Sequence, residues 1–456
     1  MSGGRLPSPE QRRATGKALR EKVPLERHAE WKESAGRRDP ITILIESNKG
    51  RVPELVPIRH ARMLTSPFAF LRGSAAVMAS DLSTTPTSGP RVQACGDCHL
   101  MNFGGFATPE RQLIFSINDF DETLPAPWEW DVKRLAASIV VAGRYINLKE
   151  RQSQSAAEAA ARWYRRWMSR YADMRVFDVW YDHVNVEEIL GSLSRAARKR
   201  LTPRIEKARS RSVIEHDFPK LVDRTGGRLR IKDTPPLIFH EQSNKGKAFR
   251  QNVLSALKTY REALVDPYRA VLDRFQLQDL ALKVVGVGSV GTACYVALFM
   301  ASDRDPLFLQ IKQANPSVLE PYAGKSIYPN QGQRVVTGQR LMQSASDIML
   351  GWTVGALKGR HFYVRQLRDM KLSALVEAME PGTLNTYSKL CGWTLARAHA
   401  RSGDPATIAG YLGKRDVFDQ AIAQFAAAYA DQTESDHRAM RKASRDGRLE
   451  VSSIDN

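Results

Sequence analysis

The sequence predicts an α+β protein of two lobes, a small antiparallel sheet lobe and a larger, mainly helical one. Three observations lead there. The chain has 456 residues, 43% of them hydrophobic, enough for one large or two ordinary domains with sizeable cores. Helical periodicity runs through WEWDVKRLAASIVVAGRYINL, EAAARWYRRWMSRYADM and QNVLSALKTYREALVDPYRAVLDRF, and returns from Leu375 to Ala400. Between them, from Leu280, ALKVVGVGSVGTACYVALFMASDRDPLFLQIKQA alternates, breaks at SDRDP and alternates again, as a β-hairpin with a third strand does.

The N-terminal residues 1–50 are rich in charge and poor in apolar anchors, which predicts a partly helical arm or a disordered tail. MSGGRLPSPEQRR has no apolar stretch of a signal peptide, and no uncharged run is long enough for a membrane span, so a cytoplasmic protein without a membrane partner is expected. Four cysteines in so long a chain make no disulfide framework. The formal charge of +19 favours anionic partners such as nucleotides, nucleic acid or phosphorylated metabolites.

Residues 51–277 read as the helical lobe. RHARMLTSPFAFLRGSAAVMASDLS carries an apolar face at helical spacing, with Arg62 and Arg72 as its notable charges; each is a surface charge or a guanidinium fork placed for phosphate. The segment CGDCHLMNFGGFATPERQLIFSINDFDE follows, from Cys95 to Glu122. Asp97 precedes Asn102 in the D-x-x-x-x-N spacing of a phosphotransferase loop, where the acid takes a hydroxyl proton and the amide oxygen holds Mg²⁺. A hairpin is expected next, ending at 116–121, with alternation putting Asp119 and Asp121 on one side as hard oxygen ligands for Mg²⁺. The CxxCH inside this stretch resembles a haem attachment motif, but no second ligand pair completes a zinc site and an exported haem protein is not indicated. His99 is then a residue that orders the loop by hydrogen bonding. Asp131 stands near the start of the next helix, and DRTGGRLRIKDTPP reads as a polar interruption of the helices after it.

Residues 278–370 read as the sheet lobe. Gly286, Gly288 and Gly291 form G-x-G-x-x-G, with Ser289 inside it. A dinucleotide-binding turn must open a helix, whereas TACYVALFM leads into another strand, so a glycine-rich loop over phosphates is the better reading. Lys312 in LQIKQA supplies the lysine that such a loop needs on the following strand. GQRVVTGQRLMQSASDIMLGW reads as a helix, and no glutamate between Gln331 and Asp347 offers itself as partner to Lys312; Glu320, Gln339 and Asp347 are the substitutes. Residues 371–456 read as helices packing back on the helical lobe.

The segments GDCHLMNFG, INDFDETLPAPWEWDVKRLAAS, VVGVGSVGT, LFLQIKQA and CGWTLARAHARSGD resemble the uncharacterised bacterial family catalogued as domain of unknown function 2252, over roughly Pro53 to Asp436. That family is similar in turn to the aminoglycoside phosphotransferase and choline kinase branch of the protein-kinase-like superfamily. The resemblance implies that Asp97 is the catalytic acid, Asn102 and Asp119 the metal ligands and Asp131 the acid at the helix start. The expected function is an ATP- and Mg²⁺-dependent phosphotransferase of kinase-like two-lobed fold. Because Asp97 and Asp119 precede Gly286, the reverse of ordinary kinases, the chain is expected to be circularly permuted.

Without an A-P-E segment, a small-molecule acceptor is expected before a protein one, and nucleotidyl transfer is the other chemistry open to these residues. Two further classes stand beside this: a nucleotide-binding pseudokinase or regulatory protein, for which the missing glutamate argues, and a nucleic-acid-binding protein, for which the basic run SRAARKRLTPRIEKARSRS argues. GSVG lacks the spacing of a hydrolase serine.

Overall fold

The computed structural model describes residues 7–192, 198–199, 202–203, 205–206, 218–225, 228–240, 247–284, 286, 288, 290–354, 359–367 and 372–452. At the centre of its helical part lies Trp128–Tyr145, in which every residue from Trp128 to Gly143 is buried. A helix buried all round needs thin neighbours, and the sequence supplies alanines and glycines where helices meet. A Cβ on Gly143 would lie 2.3 Å from the Ser153 hydroxyl of helix Glu150–Tyr171. One on Gly392, in helix Pro381–Ser402, would lie 2.1 Å from the carbonyl oxygen of Ala160. Trp167 and Trp393 stack at 4.1 Å along the same contact.

The arm expected at residues 1–50 is partly helical where it is described, over Pro9–Lys22, Leu25–Ala29 and Pro40–Glu46. Helix Pro9–Lys22 opens on a capping box made by Ser8 and Gln11. It packs on helix Pro405–Leu412, whose C-terminal carbonyls at Gly410 and Tyr411 accept from Arg20, each at 2.6 Å. Such a cation also suits the negative end of that helix.

The strands, in chain order, are β1 (Arg91–Ala94), β2 (Phe103–Ala107), β3 (Leu113–Ile117), β4 (Leu124–Pro127), β5 (Val184–Asn185), β6 (Val222–Thr225), β7 (Arg228–Ile231), β8 (Ile238–Phe239), β9 (Gln276–Lys283), β10 (Cys294–Ser302), β11 (Asp305–Ala314), β12 (Gly351–Val354), β13 (His361–Gln366) and β14 (Leu372–Ser373). The largest sheet is antiparallel, in the order β12-β13-β11-β10-β9-β8. Both its faces are covered, which is why β10 is a nearly continuous apolar run. Ala297 and Phe299 meet Tyr260 of helix Lys247–Ala263 and Leu264 just after it, whereas Val296 and Leu298 meet Val222 and Ile231 of the β6–β7 hairpin.

Three local expectations change. The polar interruption is itself strand over its described part: β6 pairs with β7. Helix Gln331–Met342 stops well before Trp352, and the C-terminal helix starts at Pro381, where proline fits the first turn, rather than at Leu375. Among the described residues no helix is long and apolar enough to cross a membrane.

Gly392→Ala should destabilise the protein by about 1–3 kcal/mol, since the added methyl collides with backbone; urea unfolding checks this. A second expectation concerns pH. His28 is buried with Nε2 2.6 Å from the Tyr411 hydroxyl, and desolvation, helped by Lys133 and Arg27, pushes it from 6.5 down to about 3. The unfolded chain takes up that proton near 6.5 and the folded one does not. Stability therefore falls as pH drops below about 6.5, by up to ~1.4 kcal/mol per pH unit from this group. His28→Asn should flatten that limb in urea titrations at pH 7 and 5.

Candidate functional site

The loop after β1 is shaped by Asp131, which sits buried in the first turn of the central helix and accepts from the backbone N–H groups of Cys95 at 2.6 Å and Gly96 at 3.0 Å. His399 holds the same carboxylate through Nε2 at 3.1 Å, and Tyr164 lies 2.9 Å from its Nδ1. Gly96 takes φ +82°, and a Cβ there would stand 2.4 Å from the Glu122 carbonyl oxygen, so only glycine lets the two segments touch.

Asp97 comes next. Its Oδ1 accepts from Arg134 Nε at 2.7 Å and also from Nη2, which donates to the Leu71 carbonyl as well, at 2.9 Å. Arg134 follows Asp131 by one helical step on the same face, so one helix holds both the loop's backbone and its acid. The Asp97 carbonyl accepts from the Asn102 amide nitrogen at 2.5 Å, which leaves the amide oxygen for another partner. His99 orders the loop through its main chain, its N–H donating to the Asp97 carbonyl at 2.9 Å and its carbonyl accepting from the Asn102 N–H at 2.8 Å, whereas its ring Nε2 lies 3.9 Å from Asp97 Oδ2, too far for a hydrogen bond. Its Nδ1 is buried without a partner among the described residues, and desolvation pushes the ring down to about 3, so it is neutral.

β3 ends at Ile117, so Asp119 and Asp121 lie in a turn rather than on alternating strand positions. Both reach the same space because Asp119 Oδ1 accepts from the Asp121 N–H at 3.1 Å, folding the turn inward. Lys312 donates to Asp121 Oδ2, and the Tyr363 hydroxyl donates to Oδ1 at 2.8 Å. Lys312 stands opposite Cys294 on one side and Tyr363 on the other, in the interior of the sheet. The substitute partners are engaged elsewhere: Glu320 with Gln331, Gln339 with Gln343, and Asp347 with the N–H groups of Met349 and Gln366. From helix Gln331–Met342 comes Arg334, which donates to the carbonyls of Thr123 at 2.6 Å, Asp121 at 2.8 Å and Asn315 at 2.8 Å. Glu122 accepts from the Val318 N–H at 2.7 Å, and desolvation pushes it up to about 7.

The glycine loop joins β9 to β10 and is gripped from the N-terminal side. Arg51 donates to the carbonyls of Gly288 at 2.9 Å and Val290 at 2.6 Å, and Arg62 to that of Gly286 at 2.5 Å. A Cβ on Gly288 would lie 2.8 Å from the Arg72 carbonyl oxygen; Gly286 and Gly291 take positive φ. Ser289 lies outside the described residues, as does most of the basic run after Gly191.

A cleft of about 270 Å³ gathers these pieces, with Asp97, Asn102, Asp119, Asp121, Gly286 and Gly288 on its wall together with Arg72 and His99. Lys312 adjoins it through Asp121, and Gly291 through its neighbour Thr292. Sequence reasoning missed Arg134, Arg334 and Tyr363. Arg134 had a signal in its helical spacing from Asp131, whereas the other two act across chain separations that no local pattern records. The family model for an uncharacterized protein conserved in bacteria (DUF2252) matches residues 51–443. The chain belongs to that family. No curated protein and no solved structure matches it. The match to this family takes in every residue of the cleft wall from Arg51 onward.

Arg334→Met should cost about 3 kcal/mol or more of stability in urea unfolding, because three carbonyls in a buried setting lose a charged donor together.

Proposed function

We propose that the protein is an ATP- and Mg²⁺-dependent phosphotransferase that acts on a hydroxyl of a small molecule, on a kinase-like two-lobed scaffold wired in permuted order. The observation that carries this is convergence: Asp97, Asn102 and Asp119 share one cleft with Gly286 and Gly288, and Lys312 pairs with Asp121 from 191 positions away. A glycine loop between two antiparallel strands, with the lysine on the next, is the arrangement a nucleotide-phosphate site needs.

Among the described residues no group of three or more His, Cys, Asp or Glu is placed to cage a metal. That fits Mg²⁺, which is held by one or two protein oxygens, with water and phosphate oxygens completing its shell. Asn102, through its amide oxygen, and Asp119, through the carboxylate oxygen not used by the turn, would hold it, with Asp121 beside them. When bound, Mg²⁺ neutralises charge on the phosphates. Lys312 and the N–H groups of the glycine loop add to that neutralisation. With Oδ1 of Asp97 committed to Arg134, Oδ2 remains to orient the acceptor hydroxyl and take its proton as the oxygen attacks phosphorus and the bond to the departing nucleoside diphosphate breaks.

A nucleotide-binding regulatory protein is the second reading, favoured by the closed ion pairs Asp97–Arg134 and Asp121–Lys312. Nucleotidyl transfer uses the same residues. A nucleic-acid partner finds no support beyond charge.

Calorimetry with Mg·ATP should give saturable binding to the wild type, weakened roughly tenfold or more in Lys312→Ala and Asp119→Ala. Absence of binding at any Mg²⁺ or Mn²⁺ concentration sinks the proposal. Asp97→Ala should keep nucleotide binding and lose transfer by about 10²–10⁴; binding without transfer in the wild type, across a screen of hydroxylated metabolites, leaves the regulatory reading.

A further inference from the structure

The cleft holds more positive charge than its own acids consume. Four carboxylates face it or line its floor, and each already has a cation or an N–H group: Asp97 has Arg134, Asp121 has Lys312, Asp119 lies in the field of Lys312 and Arg365, and Glu122 has the Val318 N–H and Arg334. Of the other arginines on the wall, Arg51 is spent on the carbonyls of Ser47, Gly288 and Val290. Arg59 is spent on Asn48, Ser47 and the Gly73 carbonyl.

Arg72 differs. It projects from the last turn of helix Pro67–Gly73 into the cleft wall beside Asp97 and His99. Its guanidinium lies over the Phe68 ring, 5.6 Å from the centroid, and makes no hydrogen bond among the described residues; its Nε is buried without a partner. The acids in its field are Asp97, already neutralised by Arg134, and Glu377, which is exposed and screened by solvent. A charged fork taken partly out of water without a partner is costly, and an oxyanion with two acceptor atoms would recover that cost. His99 adds a second unmet group on the same wall, a neutral and almost fully buried ring whose Nδ1 has no partner.

We infer that the acceptor is a hydroxylated anion, an alcohol that carries a carboxylate or a phosphate, and that Arg72 holds this oxyanion while the hydroxyl faces Asp97. This rests on the phosphotransferase reading and narrows it: neutral and cationic alcohols are poor acceptors. Arg72 is here a substrate-binding residue on the acceptor side, distinct from Lys312 and the glycine loop on the nucleotide side.

The same guanidinium chemistry could serve a nucleotide phosphate, so the experiment separates the two sources. The full-length protein is loaded with Mg²⁺ and a non-hydrolysable ATP analogue, which fills the nucleotide phosphate positions, and inorganic phosphate is titrated in by calorimetry. Wild type is compared with Arg72→Gln and Arg72→Lys, each checked for an unchanged thermal unfolding curve. Phosphate binding to the loaded wild type, roughly tenfold or more weaker in Arg72→Gln and partly kept in Arg72→Lys, with the analogue's affinity the same in all three, is the expected result. Phosphate that fails to bind the loaded protein, or binds Arg72→Gln equally well, overturns the inference. Weakened analogue binding in Arg72→Gln also overturns it and assigns Arg72 to the nucleotide. A wild type that binds no analogue at all removes the phosphotransferase reading itself, a result told apart because it appears before any phosphate is added.

Discussion

The turn from Asp119 to Thr123 is the point on which the rest of the site depends. Its three acids, Asp119, Asp121 and Glu122, crowd together and its backbone carbonyls face inward, so by itself it has little reason to hold one shape. Cations supplied by distant parts of the chain hold it: Lys312 from the sheet on one carboxylate, and Arg334 from the following helix on the carbonyls of Asp121 and Thr123. Tyr363 completes the grip from the neighbouring strand. The same contacts that orient the acids therefore fasten the sheet to the helical part. Loosening the turn and separating those two parts are one event.

Asp131 does for the Asp97 loop what Arg334 does for the acidic turn. A buried carboxylate is expensive unless its oxygens are filled, and here two backbone N–H groups and His399 fill them. The cost of burying one acid becomes the force that shapes the loop carrying another. Both devices work on main-chain atoms, so they depend on glycine where segments touch, as Gly96 shows against Glu122.

How much of this the sequence revealed depended on whether the cause was local. The hairpin of β10 and β11 and the loop before it were legible because alternation and glycine spacing are written in consecutive residues. Asp97 with Asn102 was legible for the same reason. Asp119 and Asp121 were found by a wrong argument: strand alternation was assumed, and an inward turn does the work. The β6–β7 hairpin was passed over because its polar residues masked a short strand pair. The partner sought for Lys312 was an acid on the helix, where Arg334 stands instead; the acid lies in a turn 191 positions earlier, and separation of that kind leaves no mark in a local pattern. Arg72 stood in the sequence as either a surface charge or a fork placed for phosphate, and only its buried, unpartnered Nε at the cleft wall tells the two apart.

The pairing of Asp131 with His399 spans 268 residues. A chain made from its N-terminus exposes the Asp97 loop early, long before the histidine that closes the carboxylate below it has been synthesised. Any nascent or prematurely ended chain thus displays the acids without the scaffold that aims them. The helix at Pro9–Lys22 waits longer still, since the carbonyls that Arg20 binds belong to Gly410 and Tyr411. The order of synthesis itself withholds the assembled cleft until His399 has been made.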